Sequence, residues 1–199
     1  TLLASSAASD VYKRQVCRSE HPLDHSLRAK ISRFCNVPES HVLQNLDVEV
    51  LYEVPLVMEE EHLAQAACEC LNLPCPEPDL TDWRAMIDAW KHPRYEVTVA
   101  LVGKYIQLYD AYISVVEALK HGGVANHTQV RIKWIDSETV TPENAGQLLG
   151  DVSGILVPGG FGDRGIDGKI AAIQYAREHN IPFLGLCLGM QLSIVEFAR

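Results

Sequence analysis

The stretch IPFLGLCLGMQ, residues 181–191, places a cysteine between two glycines. Gly185 and Gly189 stand two residues before and after Cys187, which is the spacing of a nucleophile elbow with cysteine in place of serine. Small flanking residues let a strand and a helix approach closely, while the residue between them takes a strained turn and projects into a cleft. Peptide dipoles at a helix N-terminus also stabilise a thiolate. The pattern predicts that Cys187 is a nucleophile and not a buried hydrophobic residue.

A second glycine loop, VPGGFGDRG at residues 157–165, follows another predicted strand. We expect a backbone N–H of Gly159 or Gly160 to face the same cleft and to pair with the N–H of Leu188 as an oxyanion hole. Glycine loops alone are weak signals, because any tight turn after a strand can contain them. The two loops in consecutive strand–helix units together favour nucleophilic catalysis by Cys187.

The elements that must position these loops alternate between strand and helix patterns from residue 96 onward. Strands are predicted for EVTVALVG, QVRIKWID, GILVP and IPFLGLC. Helices are predicted for DAYISVVEALKHGG, which ends in a glycine pair, for DGKIAAIQYAREHN and for LGMQLSIVEFAR. This alternation is typical of an α/β fold with a parallel sheet and helices on both faces. Sites in such sheets lie at the carboxyl ends of the strands, where both glycine loops fall.

The preceding residues are organised differently. Residues 16–57 alternate short apolar pieces with turn residues, typical of the tail of an α/β domain. Apolar residues at helical spacing predict a helix over residues 58–74, ended by a proline. A proline-rich linker is predicted at residues 76–95, with a short helix capped by Thr81 or Asp79.

Composition limits the class of protein. The 199 residues are 47% hydrophobic and 22% charged, as in ordinary globular proteins, and the net charge of −9 excludes a general nucleic-acid binder. No apolar run approaches the roughly 20 residues that span a bilayer, so we expect a cytoplasmic protein without a membrane partner. The six cysteines are expected to be reduced, and their spacing does not favour zinc. Residues 1–15 are rich in Ala and Ser without a clear period, and we interpret them as a non-native segment.

The stretch GILVPGGFGDRGIDGKIAAIQYAREHNIPFLGLCLGMQ resembles the start of a class I (triad) glutamine amidotransferase domain. GGFGDRG and VGKYIQLYDAYISVVEALKHGG are similar to the CTP synthase family in particular. Upstream, VCRSEHPLDHSLRAKISRFCNVP and LDVEVLYEVPL resemble the closing portion of that family's P-loop-type α/β synthetase (amidoligase) domain. The resemblance implies an internal fragment: the end of the synthetase domain over 16–75, the linker at 76–95 and the first half of the amidotransferase domain over 96–199.

The resemblance implies a ligase that converts UTP to CTP in pyrimidine nucleotide biosynthesis. In the family's chemistry a cysteine attacks the side-chain amide of glutamine and releases ammonia. ATP phosphorylates the 4-oxygen of UTP, and the ammonia then reacts with this activated UTP. The expected cofactor is ATP with Mg²⁺, whose metal ligands would lie outside this chain. GTP is the expected activator, CTP the feedback inhibitor and a homotetramer the expected assembly.

Carried onto this chain, the resemblance makes Cys187 the nucleophile. Five residues are expected to line the glutamine site: Gly160, Leu188, Gly189, Met190 and Gln191. Lys30 in LRAKI matches a lysine that contacts UTP and inhibitory CTP. Three residues match a segment that lies against the base of ATP: Leu46, Asp47 and Val48. Phe161 and Arg164, in the FGDRG lid loop, are candidates for the response to GTP.

Some parts of the family pattern are missing from the sequence. The family places the His and Glu of the triad after the cysteine, but all eight histidines precede Cys187, so we expect none of them to be the base. The phosphate-binding G-x-x-x-x-G-K-[ST] pattern and its metal-binding carboxylates are also missing. We therefore expect that this chain alone neither hydrolyses glutamine at a family-like rate nor makes CTP.

Two other functions remain open from the sequence. Another triad amidotransferase or a glutamyl hydrolase would share the elbow, but would not be expected to have CRSEHPL, AKISRFCNVP and VGKYIQLYDAYISV. A non-catalytic module that supports the assembly of oligomers is an alternative of a different class, because the catalytic base is missing.

Overall fold

The computed structural model describes residues 14–199, apart from the side chain of Tyr109. The proposed non-native segment lies outside the described residues except for its last two positions. Gln15 is the first residue of strand β1, and Arg14 donates from Nη2 to the carbonyl oxygen of Ala66 at 2.9 Å. The chain divides into two compact units, residues 1–87 and residues 88–199, and each is described by itself.

The first unit contains a parallel pair of strands with helices beside it. Strands β1 and β2 are Gln15–Ser19 and Val42–Leu46, with Gln15 opposite Val42. The helices are α1 (His25–Cys35), α2 (Val54–Glu60), α3 (Leu63–Leu71) and α4 (Thr81–Lys91), which continues into the second unit. Single 3₁₀ turns occupy Glu39–His41 and Leu51–Glu53. Because parallel strands need a crossover connection, α1 lies between β1 and β2 in the chain.

The helix predicted over 58–74 is two helices, α2 and α3, separated by a break at Glu61 and His62. His62 has a left-handed backbone with φ 58°. The Glu61 carboxylate accepts hydrogen bonds from the backbone N–H of Gln44 at 3.0 Å and from Nη2 of Arg28 at 3.2 Å. These tertiary bonds hold Glu61 against β2 and α1, and α3 ends at a left-handed Asn72 before the proline is reached.

The short helix predicted between residues 76 and 95 is α4. Asp79 accepts a hydrogen bond from the backbone N–H of Thr81 at 3.0 Å, which satisfies a donor at the start of the helix. Within the first unit, Trp83 donates from Nε1 to the carbonyl oxygen of Tyr52 at 2.8 Å. This bond fastens the first turn of α4 to the segment before α2.

The second unit contains a four-stranded parallel sheet in the order β4-β3-β5-β6. Its strands are β3 (Tyr95–Gly103), β4 (Thr128–Asp136), β5 (Gly154–Val157) and β6 (Phe183–Gly185). Its remaining helices are α5 (Ile113–Ala125), α6 (Ala145–Leu149), α7 (Ile166–Glu178) and α8 (Leu188–Phe197), and a 3₁₀ turn at Tyr109–Tyr112 precedes α5. The predicted α/β class with parallel strands and flanking helices is confirmed.

Side chains of β3 and β5 alternate between two cores, one on each face of the sheet. Ala100 and Val102 pack with α6, α7 and α8, while Leu101 and Leu156 pack with α5 and the turn before it. All three β3 residues are 0% exposed. The two central strands are therefore covered on both faces, as a parallel sheet requires.

Helix α5 does not end at its glycine pair, contrary to the prediction, but continues to Ala125. Gly123 is buried, and a Cβ at this position would lie 2.5 Å from the carbonyl oxygen of Thr128 and 2.8 Å from Cγ2 of Val130. The glycine therefore serves close packing of α5 on β4, and the helix ends two residues later.

Candidate functional site

Cys187 occupies a sharp turn between β6 and α8. Its backbone has φ 52° and ψ −107°, a conformation that residues other than glycine rarely adopt. Before the turn, Leu186 donates its N–H to the carbonyl oxygen of Val157 at 2.9 Å. After it, Gln191 donates its N–H to the carbonyl oxygen of Cys187 at 3.1 Å. The turn exposes the Cys187 side chain at the carboxyl end of the sheet. This is the backbone arrangement of a nucleophile elbow.

The two flanking glycines allow this turn. A Cβ at Gly185 would lie 2.6 Å from both the backbone carbon of Gly189 and the backbone nitrogen of Met190. A Cβ at Gly189 would collide with the carbonyl oxygen of Val157 and lie 3.1 Å from Val157 Cβ. Both contacts are with backbone that cannot move independently of its strand or helix. Because both positions lack a side chain, α8 can begin directly after β6 and in close contact with β5.

The glycine loop after β5 lies beside the elbow, because β5 and β6 are neighbours in the sheet. A Cβ at Gly159 would lie 3.4 Å from Cβ and 3.9 Å from Sγ of Cys187. A Cβ at Gly160 would lie 3.9 Å from Cδ2 of Leu188. The sheet thus brings together the two glycine-containing segments, while the assignment of their N–H groups to an oxyanion hole stays a prediction.

The predicted glutamine-site residues surround Cys187 with different exposures. Leu188 is half-buried and Gly189 is buried in the first turn of α8. Met190 is 52% exposed and Gln191 is exposed in the same first turn of α8. The Cys187 side chain itself is exposed, while the role of its neighbours as a glutamine site stays a prediction.

The lid candidates lie on the exposed continuation of the glycine loop. Phe161 is 87% exposed, and its carbonyl oxygen accepts a hydrogen bond from Nζ of Lys104. Arg164 pairs with Glu138 at 2.5 Å, and its guanidinium carbon lies 5.9 Å from the ring centroid of Tyr105. The loop is therefore held to the ends of β3 and β4 by charged and aromatic side chains and not by apolar burial.

In the first unit, the predicted nucleotide-binding residues lie on two elements. Lys30 is exposed on α1. Leu46 ends β2, and Asp47 and Val48 follow it directly. Asp47 forms an ion pair with Arg18, a residue of β1 that the sequence analysis missed, although its position near the carboxyl end of a strand could have indicated it. These positions stay predictions as nucleotide contacts.

Two further polar residues of the second unit were also missed. Ser137 and Lys169 are both 0% exposed, and neither Ser137 Oγ nor Lys169 Nζ has a hydrogen-bond partner among residues 14–199 as the structure describes them. Burial and the charge of Lys104 lower the pKa of Lys169. No local pattern indicated this burial, because a lysine in a helix ordinarily faces solvent.

Sequence similarity relates this chain to known proteins. Residues 107–199 match the family model of class I glutamine amidotransferases, and residues 11–73 match that of the CTP synthase N-terminus. The CTP synthases of Ruminiclostridium cellulolyticum and Clostridium beijerinckii are both 56% identical over 184 residues, which is 92% of this chain and 34% of each relative. The glutaminase domain of Trypanosoma brucei CTPS with bound acivicin is 45% identical, covering 52% of this chain and 40% of that one, with a TM-score of 0.48.

The fold, the cysteine elbow and the matched residues define the second unit as part of a class I glutamine amidotransferase domain. The match of residues 11–73 adds a second, separate domain signature in the same chain. The chain belongs to the CTP synthase family, and spans about a third of the length of the curated relatives it matches.

Proposed function

We propose that this chain supplies the nucleophile of a glutamine-hydrolysing CTP synthase, which converts UTP to CTP with ATP and ammonia from glutamine. The main support is Cys187 at φ 52°, presented between two obligatory glycines beside a second glycine loop. A thiol at this position can attack an amide from the open side of the sheet.

The proposed reaction begins at the side-chain amide of glutamine. Sγ of Cys187 bonds to the amide carbon, and the carbonyl electron pair moves to oxygen, beside the N–H groups of Gly160 and Leu188. The general base takes the proton of the thiol and passes it to the amide nitrogen; the carbonyl then re-forms, the C–N bond breaks, and the nitrogen leaves as ammonia. Water hydrolyses the thioester to glutamate and frees the thiol. The family resemblance places the general base, a His held by a Glu, after Cys187 in chain order.

The remaining parts of the proposal concern nucleotides. Lys30 would contact UTP or CTP through their phosphates, and the Leu46–Asp47–Val48 segment would lie against the base of ATP. Phe161 and Arg164 would take part in the response to GTP. Within residues 14–199 no group of three or more His, Cys, Asp or Glu side chains could hold a metal ion. The family resemblance implies that the ligands of Mg²⁺ would come from outside this chain.

The proposed setting is a homotetramer in the cytoplasm. Each of the six cysteines is a free thiol, as a reducing compartment would keep them. No helix among the described residues is long and apolar enough to cross a membrane. The homotetramer is what the family resemblance implies.

The test is covalent labelling of the thiol by a glutamine-like chloromethyl ketone, 2-amino-4-oxo-5-chloropentanoate. The thiol sulfur displaces chloride and forms a thioether, which mass spectrometry locates. We expect labelling at Cys187 that saturates with reagent and slows when glutamine is added. Cys187→Ser should lose at least about 100-fold in labelling rate, because a neutral hydroxyl is a far weaker nucleophile than a thiolate.

Cys70→Ser is the matched control, because Cys70 is also an exposed thiol. It should leave labelling at position 187 unchanged. Labelling of all exposed thiols at one rate, without protection by glutamine, would contradict the proposed glutamine site and favour the non-catalytic assembly module.

A further inference from the structure

Lys169 is a buried lysine that has no hydrogen-bond partner in the part of the chain that the structure describes. Among the described residues the buried polar or charged side chains are Ser137, Lys169 and Glu196. Glu196 is paired with Arg177 at 2.7 Å, whereas Nζ of Lys169 has no hydrogen-bond acceptor although the residue is 0% exposed. Buried polar groups in folded proteins are almost always hydrogen-bonded, so an exception requires an explanation.

The ammonium of Lys169 lies against the glycine loop. A Cβ at Gly160 would be 3.3 Å from Lys169 Nζ, so a side chain at position 160 would compete with the lysine for this space. The neighbouring Gly159 is the residue that approaches Cys187. The loop therefore separates a buried cation from the exposed thiol by one or two peptide groups.

This placement lowers the stability of the fold. Removing an ammonium from water without giving it an acceptor is unfavourable, and the charge of Lys104 adds repulsion. A methionine would fill nearly the same volume without either penalty. Among residues 14–199 no acceptor offsets this cost, so the ammonium can interact favourably with a negative charge that develops beside the glycine loop.

We propose that Lys169 is a positioning residue of the glutamine site, whose charge acts through the Gly160 peptide to stabilise the oxyanion formed when Cys187 adds to a carbonyl. This inference rests on the proposed function. In the addition step the Sγ–C bond forms and the carbonyl π electrons move to oxygen. In the proposed step no proton moves to or from Lys169, and its ammonium touches neither the sulfur nor the oxygen, so its contribution is electrostatic.

The test compares two reagents on the wild-type chain and on Lys169→Met. The glutamine-like chloromethyl ketone has a carbonyl that can develop an oxyanion, whereas iodoacetamide alkylates the thiol by direct displacement. We expect Lys169→Met to lower the ratio of the ketone rate to the iodoacetamide rate at Cys187 by about tenfold or more. This decrease should be smaller than the decrease in rate caused by removing a direct oxyanion-hole donor. Its midpoint temperature of unfolding should equal or exceed that of the wild type.

Lys120→Met is the control, because it removes one positive charge from the same unit on α5, where Lys120 pairs with Glu117 at 2.8 Å. It should leave the ratio unchanged. An unchanged ratio in Lys169→Met overturns the proposal. So does a parallel fall of both rates with a lower midpoint temperature, which is the signature of a merely structural lysine.

A second neutral variant, Lys169→Leu, should reproduce the result. If neither variant folds, the lysine is required by the fold and the proposal is overturned. Failure of the proposed function would be separate: glutamine would not protect wild-type Cys187 from the ketone. The rate ratio of the two reagents would still show whether Lys169 acts on the addition step.

Discussion

A chain with Gly189→Ala is expected to be about 2–3 kcal/mol less stable than the wild type and to lose labelling at Cys187. The new methyl group would collide with the carbonyl oxygen of Val157 in β5. Rotation of a side chain cannot relieve this collision, because both partners are backbone. Alanine is favoured over glycine in a helix by only about 1 kcal/mol, too little to offset the displacement of α8. Denaturant unfolding of both chains measures the difference.

Gly122→Ala provides the matched control for this effect. Gly122 lies in α5, and a Cβ there would have no atom within 4 Å. The higher helix propensity of alanine is then the main effect, so Gly122→Ala should stabilise the chain by about 0.5–1 kcal/mol. If Gly189→Ala stabilised the chain as Gly122→Ala is expected to, the close approach of α8 to β5 would be contradicted, and with it the geometry of the elbow.

Arg177→Met is expected to destabilise the chain at neutral pH by clearly more than the loss of an exposed ion pair would. Glu196 is only 6% exposed, and its carboxylate accepts hydrogen bonds from Nη2 of Arg177 at 2.7 Å and from Nε at 3.0 Å. Removal of the guanidinium leaves a buried carboxylate without its partner. Breaking a fully buried pair costs about 3–5 kcal/mol, but Arg177 is 49% exposed, and water reduces the loss.

The pH dependence of this effect follows from the pKa of Glu196. The hydrogen bonds and the charge of Arg177 hold that pKa below its ordinary value of 4.5, although burial opposes the shift. The stabilisation by the pair is therefore complete above pH 4.5 and is lost as the pH falls through the lower value of the folded state. The stability difference between wild type and Arg177→Met should shrink in that range.

Glu178→Gln is the control for the second prediction. Glu178 lies 3.7 Å from the same guanidinium but is 47% exposed, so its pairing with Arg177 is a surface interaction. Its replacement should change stability by less than about 0.5 kcal/mol at any pH near neutrality. A loss as large as that of Arg177→Met would show that burial of Glu196 is not the cause.

Local patterns predicted most of the second unit, because its strands and helices are long or have clear apolar periods. The strand containing Ala100 to Val102 and the helix containing Ile170 to Ala176 are buried enough for composition alone to reveal them. The cysteine elbow could also be predicted from the sequence, because Gly185 and Gly189 are required where one strand closely approaches the helix that directly follows it.

Other features depended on contacts between residues distant in the chain. The helix break at His62 arises because Glu61 bonds to Gln44 and Arg28, whereas the local sequence continues a helical pattern. Helix α6, with five residues, is too short to produce a periodic signal. The glycine pair in α5 resembled a helix end, but Gly123 is there to let the helix approach β4.

The sequence by itself determined that a cysteine stands in an elbow between a strand and a helix, because spacing along one short segment specifies that turn. Only the tertiary structure decided what lies beside it. The strand order places the loop of Gly159 against Cys187, and the packing of α7 buries Lys169 beneath Gly160. The physical reason is that a turn depends on local backbone sterics, whereas the burial of a charge depends on every element that covers it.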